Sequence, residues 1–310
     1  MKALITGING FVGQYLKMEL LMNGYQVVGV DLIAKNNSDL AVDILNYEMV
    51  LKVIGDEKPD IIFHLAGQAS VAKSWEIPQR TVELNVNGAL NILEAVKNSE
   101  LKTKIVLIGS SDQYGKVKSG QIPIKETTDQ APITPYAISK RAQEEFGKIY
   151  AESYQMNICM TRSFNHVGVG QALGFVVPDL AHGIAEIENG LKEKLIVGNL
   201  ESYRDFSDVR DIVRAYRFIG EKGLSGTIYN VGSGKTYQIK ELLDILISYA
   251  NKPIQVEYSK SRMRVADTPI LQCDFLKLKN DTEWVPVILI EETLRQMLDY
   301  YRKEVEANSL

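Results

Sequence analysis

The chain has 310 residues, of which 45% are hydrophobic and 24% charged, and 39 acidic against 35 basic side chains give a formal net charge of −4. This composition is typical of a globular protein with a sizeable core; it excludes a disordered chain and disfavours a nucleic-acid partner. Glycine at position 7 interrupts the N-terminal apolar run too early for a signal peptide or a membrane span, so we expect a cytoplasmic protein without membrane contact. The cysteines and histidines have no metal-ligand spacing, so no metal is expected.

Short apolar runs alternate with longer helical patterns through the first half of the chain. Strands are predicted at residues 2–6, 25–30, 61–65 and 104–108, and helices at residues 11–21, 47–54 and 81–96. This alternation is typical of parallel strands joined by helices that cover both faces of a sheet. The predicted fold class is therefore α/β, with a doubly wound parallel sheet of the Rossmann type.

The second half of the chain is less regular. Its clearest predicted elements are a strand at residues 158–162 and helices at residues 177–187 and 209–219. We predict a dinucleotide-binding domain over residues 1–163, to which residues 204–230 return. Residues 164–203 and 231–310 are expected to form a smaller, mostly C-terminal α/β lobe that binds substrate over the carboxyl edge of the sheet, where ligands bind in such folds.

Gly7, Gly10 and Gly13 lie between the first predicted strand and the first predicted helix. In this context the three glycines permit a tight turn, admit a pyrophosphate and let the helix pack closely on the sheet. Asp31 ends the second strand about 20 residues further on, where a carboxylate accepts from the adenosine ribose hydroxyls and repels a 2′-phosphate. NAD(H) is therefore predicted as the preferred cofactor, ahead of NADP(H). Further candidate cofactor contacts are Phe11, Val12, Asp43, Ile44, Leu65 and Ala66.

A second group of residues could move a proton at a ketone or alcohol. Tyr136 and Lys140 share one face of a predicted helix, so the ammonium is expected to stabilise the phenolate and lower the phenol pKa from its usual value near 10. A similar pair, Tyr114 and Lys118, adjoins glycines that predict a loop, so it is not favoured. Ser110 follows a predicted strand, where its hydroxyl can donate to the reacting oxygen.

The Gly-x-x-Gly-x-x-Gly spacing, together with Ser110, Tyr136 and Lys140, resembles the extended short-chain dehydrogenase/reductase family. That resemblance implies that Ser110 polarises a carbonyl and that Tyr136 is the general acid/base. It also implies that Lys140 tunes the tyrosine and holds the nicotinamide ribose, and that the helices at residues 81–96 and 136–154 form a homodimer contact.

Later motifs resemble family members that act on GDP-sugars, in particular GDP-4-dehydro-6-deoxy-mannose reductases and GDP-mannose 4,6-dehydratases. The motifs are Arg-Ser-Phe-Asn-His-Val-Gly at residues 162–168, Gly-Asn-Leu followed by Arg-Asp at residues 198–205, and Arg-Val-Ala-Asp at residues 264–267. The resemblance implies a nucleotide-sugar substrate whose diphosphate and ribose contact Asn165, Arg204 and Arg264, with Asp267 where relatives usually carry Glu. An internal ion pair between Arg204 and Asp205 is the alternative. Gln68, Ser111 and Asp112 are further candidate substrate contacts.

The residues that follow the predicted strand at residues 104–108 favour one reaction among several. Dehydratases of this type usually carry Thr-Asp-Glu or Thr-Ser-Glu where this chain has Ser110-Ser111-Asp112. Because Asp112 is shorter than Glu, simple reduction at C4 of a GDP-linked sugar, or its reverse, is favoured. A 4,6-dehydratase, a nucleotide-sugar 4-epimerase and a non-enzymatic NAD-binding sensor are the alternatives.

Overall fold

The computed structural model describes residues 1–36, 39–259 and 270–308. Its strands are β1 (Lys2–Thr6), β2 (Gln26–Asp31), β3 (Asp39–Ala41), β4 (Ile61–His64), β5 (Lys104–Ser110), β6 (Ile158–Ser163), β7 (Asn165–Val167), β8 (Lys194–Val197), β9 (Tyr203–Asp208), β10 (Ile228–Val231), β11 (Thr236–Gln238), β12 (Gln255–Tyr258) and β13 (Ile270–Leu271). Its α-helices are α1 (Phe11–Met22), α2 (Tyr47–Glu57), α3 (Val71–Glu76), α4 (Pro78–Val82), α5 (Gly88–Asn98), α6 (Pro135–Ser153), α7 (Val176–Glu188), α8 (Val209–Lys222), α9 (Ile239–Ser248), α10 (Leu276–Thr282) and α11 (Ile290–Asn308).

Seven strands form one parallel sheet in the order β3-β2-β1-β4-β5-β6-β10. The order reverses between β1 and β4, which is the switch point at which a doubly wound sheet opens a ligand crevice. The central strands are apolar on both faces because helices cover both sides. The predicted α/β class and doubly wound sheet are therefore confirmed.

Side chains that alternate along the strands divide between two apolar layers. Ala3 and Ile5 of β1 pack in the layer that also contains α1 and α8. Leu4, between them, packs in the opposite layer with residues of α2 and α5. Because all seven strands are parallel, their carboxyl ends lie at one edge of the sheet, where the crevice opens.

The single helix predicted at residues 81–96 is wrong in detail. The structure has α4, then a π-helical turn over Glu83–Asn87, then α5. No proline or glycine inside residues 83–87 signals this turn, so a helical pattern cannot reveal it. The turn buries Asn85, whose amide donates to Ser139 Oγ at 2.9 Å and to the Gln68 carbonyl at 3.1 Å. A π-turn of this kind is often found at functional sites.

The smaller lobe is organised around β9, which pairs with β7, β11 and β13. Its core combines residues of α7, α9 and α11 with those of β8 and β9. The chain returns to the large sheet only from α8 onwards, because β9 belongs to the smaller sheet, although the return was predicted from residue 204. Leu278 of α10 and Trp284 pack in the same apolar layer as α1 and α8.

Candidate active site

Ser110, Tyr136 and Lys140 meet at the carboxyl end of β5. Ser110 is the last residue of β5, and Tyr136 and Lys140 lie on the first two turns of α6. Thr134 caps that helix by accepting from the Ala137 N–H at 3.0 Å, with Pro135 in the first helical position. The cap sets where α6 begins, and so it sets which side chain of the helix lies over Ser110.

Backbone groups orient the Ser110 hydroxyl. Ser110 Oγ accepts a hydrogen bond from the Asp112 N–H at 3.2 Å, at the start of a 3₁₀ turn over Ser111–Tyr114. One lone pair is thereby occupied, which leaves the hydroxyl proton for another acceptor. The hydroxyl also lies close to the Tyr136 phenol, whose pKa it lowers. Ser110 and Tyr136 can therefore each offer a hydroxyl proton to one incoming oxygen.

The expectation that Lys140 lowers the pKa of Tyr136 is wrong for this structure. Burial, and after it the charge of Asp112, raises the pKa of Tyr136 above its ordinary value of 10, against a smaller opposing effect of the Ser110 hydrogen bond. The Lys140 ammonium donates instead to the Ile108 carbonyl at 2.8 Å and to Gln143 Oε1 at 3.0 Å. Tyr136 is therefore a protonated phenol at neutral pH, ready to act as an acid.

Lys140 is itself buried, and burial lowers its pKa to about 8. His64, at the end of β4, is fully buried and Nδ1 lies 2.9 Å from Thr6 Oγ1. Burial, and secondarily Lys140, lowers the pKa of His64 to about 3, so this histidine is neutral. Of these two groups, Lys140 is therefore the one that carries a charge.

The glycine loop has the close packing that a phosphate-binding turn requires. Gly7 has a φ of 73°, and a Cβ there would lie 2.9 Å from the Cα of Ala66. A Cβ at Gly13 would lie 2.3 Å from the Gly7 carbonyl oxygen. Gly10 precedes α1 and offers no side-chain cap, so N–H groups of the first turn, including those of Phe11 and Val12, face the loop unshielded.

The other candidate cofactor residues lie at or just after the ends of β2, β3 and β4. Asp31 Oδ2 accepts from the Asn9 N–H at 2.9 Å, which places the carboxylate beside the glycine turn. Asp43 accepts from the Leu45 N–H at 2.9 Å, and the buried Ile44 packs towards Gly88 of α5. Leu65 and Ala66 pass directly over Gly7, with the Ala66 N–H donating to Thr6 Oγ1 at 3.1 Å.

A cavity of about 330 Å³ lies in the smaller lobe and brings Asn165 and Arg204 together. The alternative, an ion pair between Arg204 and Asp205, is not what the structure has. The Asp205 carboxylate instead accepts from the Ser233 and Gly234 N–H groups at 2.8 and 2.7 Å and from the Cys273 N–H at 3.1 Å. Arg264 and Asp267 lie outside the described residues.

Gln68, Ser111 and Asp112 are placed differently from one another. The Gln68 amide donates to the Ser70 carbonyl at 2.8 Å and to Thr81 Oγ1 at 3.2 Å, so it stabilises its own loop. Ser111 is buried in the 3₁₀ turn, whereas Asp112 is half-buried and its charge acts on Tyr136.

Three polar residues of the site were missed by the sequence reasoning: Gln113, Glu144 and Arg162. All are buried and joined to one another by hydrogen bonds. The available signal was that Glu144 lies four residues beyond Lys140, on the same face of α6.

Within the described chain, no cluster of metal-ligating side chains occurs, and none of the helices there has the length and apolar character needed to cross a bilayer.

A doubly wound sheet with a glycine turn after β1, and Ser, Tyr and Lys at β5 and α6, defines an extended short-chain dehydrogenase/reductase. The family model described as GDP-mannose 4,6 dehydratase matches residues 4–297, and the chain belongs to this family. The GDP-6-deoxy-D-mannose reductase of Pseudomonas aeruginosa is 32% identical over 98% of each chain.

Two solved structures share the whole fold. RMD from Pseudomonas aeruginosa complexed with NADPH superposes with a TM-score of 0.88, at 31% identity over 98% of this chain and 99% of that one. The UDP-glucose 4-epimerase of Thermus thermophilus in complex with NAD superposes with a TM-score of 0.87, at 28% identity over 97% and 99% of the two chains.

Proposed function

We propose that this protein is an NAD(P)H-dependent reductase of a 4-keto sugar linked to GDP, similar to GDP-4-dehydro-6-deoxy-mannose reductases. The observation that carries the proposal is the pair of hydroxyl donors, Ser110 and a protonated Tyr136, at the mouth of the sheet crevice. A protonated phenol has a proton to give, and a ketone accepts one when it becomes an alcohol. The full-length similarity to the Pseudomonas reductase supports the same reaction.

The residues have distinct roles in this reaction. The reduced nicotinamide, when bound, supplies a hydride to the carbonyl carbon. Ser110 donates a hydrogen bond to the carbonyl oxygen and so favours the negative charge that develops there. Tyr136 transfers its phenolic proton to that oxygen, which completes the alcohol, and the buried Lys140 ammonium would hold the nicotinamide ribose. Arg204 and Asn165 hold the diphosphate in the cavity of the smaller lobe.

The glycine loop fits a dinucleotide because its close contacts leave no room for side chains where a pyrophosphate must approach. We propose NAD(H) as the preferred form, since the Asp31 carboxylate beside the loop accepts ribose hydroxyls and repels a 2′-phosphate. The Pseudomonas structure contains NADPH, so a preference for NADPH is the competing result. Assays with NADH and NADPH at equal concentration distinguish the two preferences.

The dehydratase activity named by the family model is the second candidate. Asp112 supports it, because a carboxylate close enough to Tyr136 to raise the phenol pKa could also take a proton from the sugar. Reduction adds two hydrogens to the substrate and dehydration removes water. Mass spectrometry of the product from GDP-mannose and from its 4-keto-6-deoxy derivative therefore separates the two activities.

The test of the proposed function is oxidation of NADH or NADPH by the purified protein with a 4-keto GDP-sugar. Tyr136→Phe should lower kcat by about 10²–10⁴, the usual contribution of a general acid. The matched control is Tyr150→Phe on the same helix; the half-buried Tyr150 hydroxyl bonds to Glu94 of α5, and its loss should leave kcat unchanged. Equal rates in the native and Tyr136→Phe proteins would reject the proposal.

We further propose a homodimer formed through α4, α5 and α6. Exposed apolar side chains on these helices support it, among them Val82, Ile138 and Ile149. Light scattering of the purified protein should give twice the chain mass, and a monomer at micromolar concentration would contradict the proposal. The cytoplasmic location stays a prediction.

A further inference from the structure

Gln113 has both ends of its side chain engaged between Ser110 and a buried carboxylate. Its Oε1 accepts from the Ser110 backbone N–H at 2.9 Å, and its Nε2 donates to Glu144 Oε2 at 2.9 Å. The side chain is fully buried. Because an N–H must face an acceptor and a carboxylate must face a donor, only one orientation of the amide satisfies both neighbours.

The carboxylate that holds Gln113 is itself fixed in place. Arg162 donates to Glu144 through Nε at 2.7 Å and Nη2 at 2.8 Å, in the two-pronged geometry that is most restrictive for such a pair. Both side chains are at most 3% exposed. Burial alone would raise the pKa of Glu144, but Arg162 and Lys148 together outweigh burial and hold the pKa at about 2. Glu144 is therefore a permanent anion.

This ion pair lies between the two elements that carry the proton donors, β5 with Ser110 and α6 with Tyr136. Tyr136, Lys140 and Glu144 succeed one another at four-residue intervals on α6, so they lie along one face of the helix. Arg162 lies on β6, the neighbour of the strand that ends at Ser110. Gln113 thus joins the strand end carrying Ser110 to the helix carrying Tyr136.

We propose that Gln113, anchored by the Glu144–Arg162 pair, is a positioning residue that holds the Ser110 hydroxyl in line with the Tyr136 phenol. It touches neither substrate nor cofactor and acts through the Ser110 backbone. The inference rests on the proposed function, because it assumes that the two hydroxyls act on one oxygen. Small displacements of a reacting group reduce rates strongly, by about 10²-fold for 1 Å.

The chain offers a matched control in Gln130. Its amide donates to the other oxygen of the same carboxylate, Glu144 Oε1, at 2.9 Å, and its own oxygen accepts a longer bond from Gln113 Nε2 at 3.4 Å, but in the described chain it has no hydrogen bond to Ser110. Gln113→Leu should lower kcat about tenfold or more with KM for the sugar within about twofold. Gln130→Leu should leave kcat near the native value. Gln113→Asn, which keeps the amide one methylene shorter, serves if the leucine variant does not fold.

A double-mutant cycle separates positioning from general destabilisation. In a Ser110→Ala background, Gln113→Leu should cause no further loss of kcat, since the hydroxyl that it positions is gone. Effects that multiply, or equal losses in Gln113→Leu and Gln130→Leu, would overturn the inference. A native rate in Ser110→Ala would overturn it together with the assigned role of Ser110.

A second measurement stays informative if no GDP-sugar is reduced and the proposed function fails. Ser110 lies close to the Tyr136 phenol and influences it, so loosening Ser110 should change the surroundings of the phenol. The ¹³C chemical shift of the Tyr136 phenol carbon at neutral pH, assigned by its absence in Tyr136→Phe, reports these surroundings directly. It should move in Gln113→Leu and not in Gln130→Leu; an unchanged chemical shift in both variants would reject the positioning role.

Discussion

At the scale of single residues, burial decides the protonation states at this site. Tyr136 and Lys140 are both excluded from water, and each is thereby shifted towards its neutral form. A neutral phenol is the acid that reduction requires. Lys140, whose pKa lies closer to neutrality, is the group whose charge changes with the pH of the solution.

A pH dependence follows from Lys140. Its pKa of about 8 means that the ammonium is lost as the pH rises through this value, so kcat/KM for the sugar should fall above pH 8. Lys140→Arg keeps a charge at all accessible pH values and should be slower but lack that fall. A native profile that stays flat well above this pKa would count against a role for the ammonium.

The same shift affects stability with a definite sign. The folded pKa of Lys140 lies below its ordinary value, so between the two values the unfolded chain binds more protons than the folded one. Stability therefore rises with pH across that interval as far as this group is concerned. Lys140→Met should remove the rise, which urea unfolding at a series of pH values would measure.

How much of the site could be predicted depends on the distance along the chain between its parts. Tyr136 and Lys140 follow from helical spacing, and Ser110 from the end of a strand, because both rules are local. Gln113 and Glu144 are 31 residues apart, and Glu144 and Arg162 are 18 apart. Nothing in a local pattern shows that such residues meet. The raised pKa of Tyr136 was missed for the same reason, since burial depends on tertiary packing.

At the scale of elements, the turn between β1 and α1 combines tight packing with an uncapped helix start. The Gly7 carbonyl oxygen lies where a side chain of Gly13 would be. Strand and helix are thus held at a separation that only glycine permits, and the N–H groups of the first helical turn remain open to an anion.

Gly13→Ala should disturb this turn. The new Cβ would lie 2.3 Å from the Gly7 oxygen and 2.8 Å from that of Ile8, so the backbone must shift, at a cost of about 1–3 kcal/mol in the free energy of unfolding. NADH affinity should fall as well. Gly55→Ala is the control: a Cβ at this helical position has open space, and the variant should gain about 0.5–1 kcal/mol with native NADH binding. Denaturant unfolding and NADH fluorescence titration measure the two effects, and native NADH affinity in Gly13→Ala would contradict the prediction.

Five strands of the large sheet, β1, β2, β4, β5 and β6, were predictable to within a residue or two, because buried parallel strands appear as short apolar runs. The π-turn at Asn85 was not, since it contains no residue that breaks a helix. The short β3 was also missed: its three residues are too few to show a period.

At the scale of the whole molecule, the last part of the chain completes the core of the larger lobe. Trp284 is 1% exposed, its Nε1 donates to the Asp211 carbonyl at 3.1 Å, and it packs with Leu278 in the layer of α1 and α8. The Val287 and Ile288 N–H groups donate to the Asp211 carboxylate, each at 2.8 Å. Sequence order alone assigned these residues to the smaller lobe.

Trp284→Ala should therefore destabilise the larger lobe although it lies far along the chain from it. Removal of a buried tryptophan costs about 3–5 kcal/mol. The other tryptophan, Trp75, is 58% exposed, and Trp75→Ala should change the free energy of unfolding by less than about 0.5 kcal/mol. Guanidinium unfolding followed by circular dichroism compares the two, and similar midpoints would show that Trp284 is not part of this core.

The anchoring of Trp284 beneath α8 has a consequence for biosynthesis. A nascent chain that has emerged only through β10 has all seven strands of the large sheet but lacks the indole that closes one of its apolar layers. On the ribosome, that layer therefore remains incomplete until translation is nearly finished. Chaperones that shield apolar surfaces during synthesis would still find exposed apolar surface at that late stage, long after the amino-terminal strands have been made.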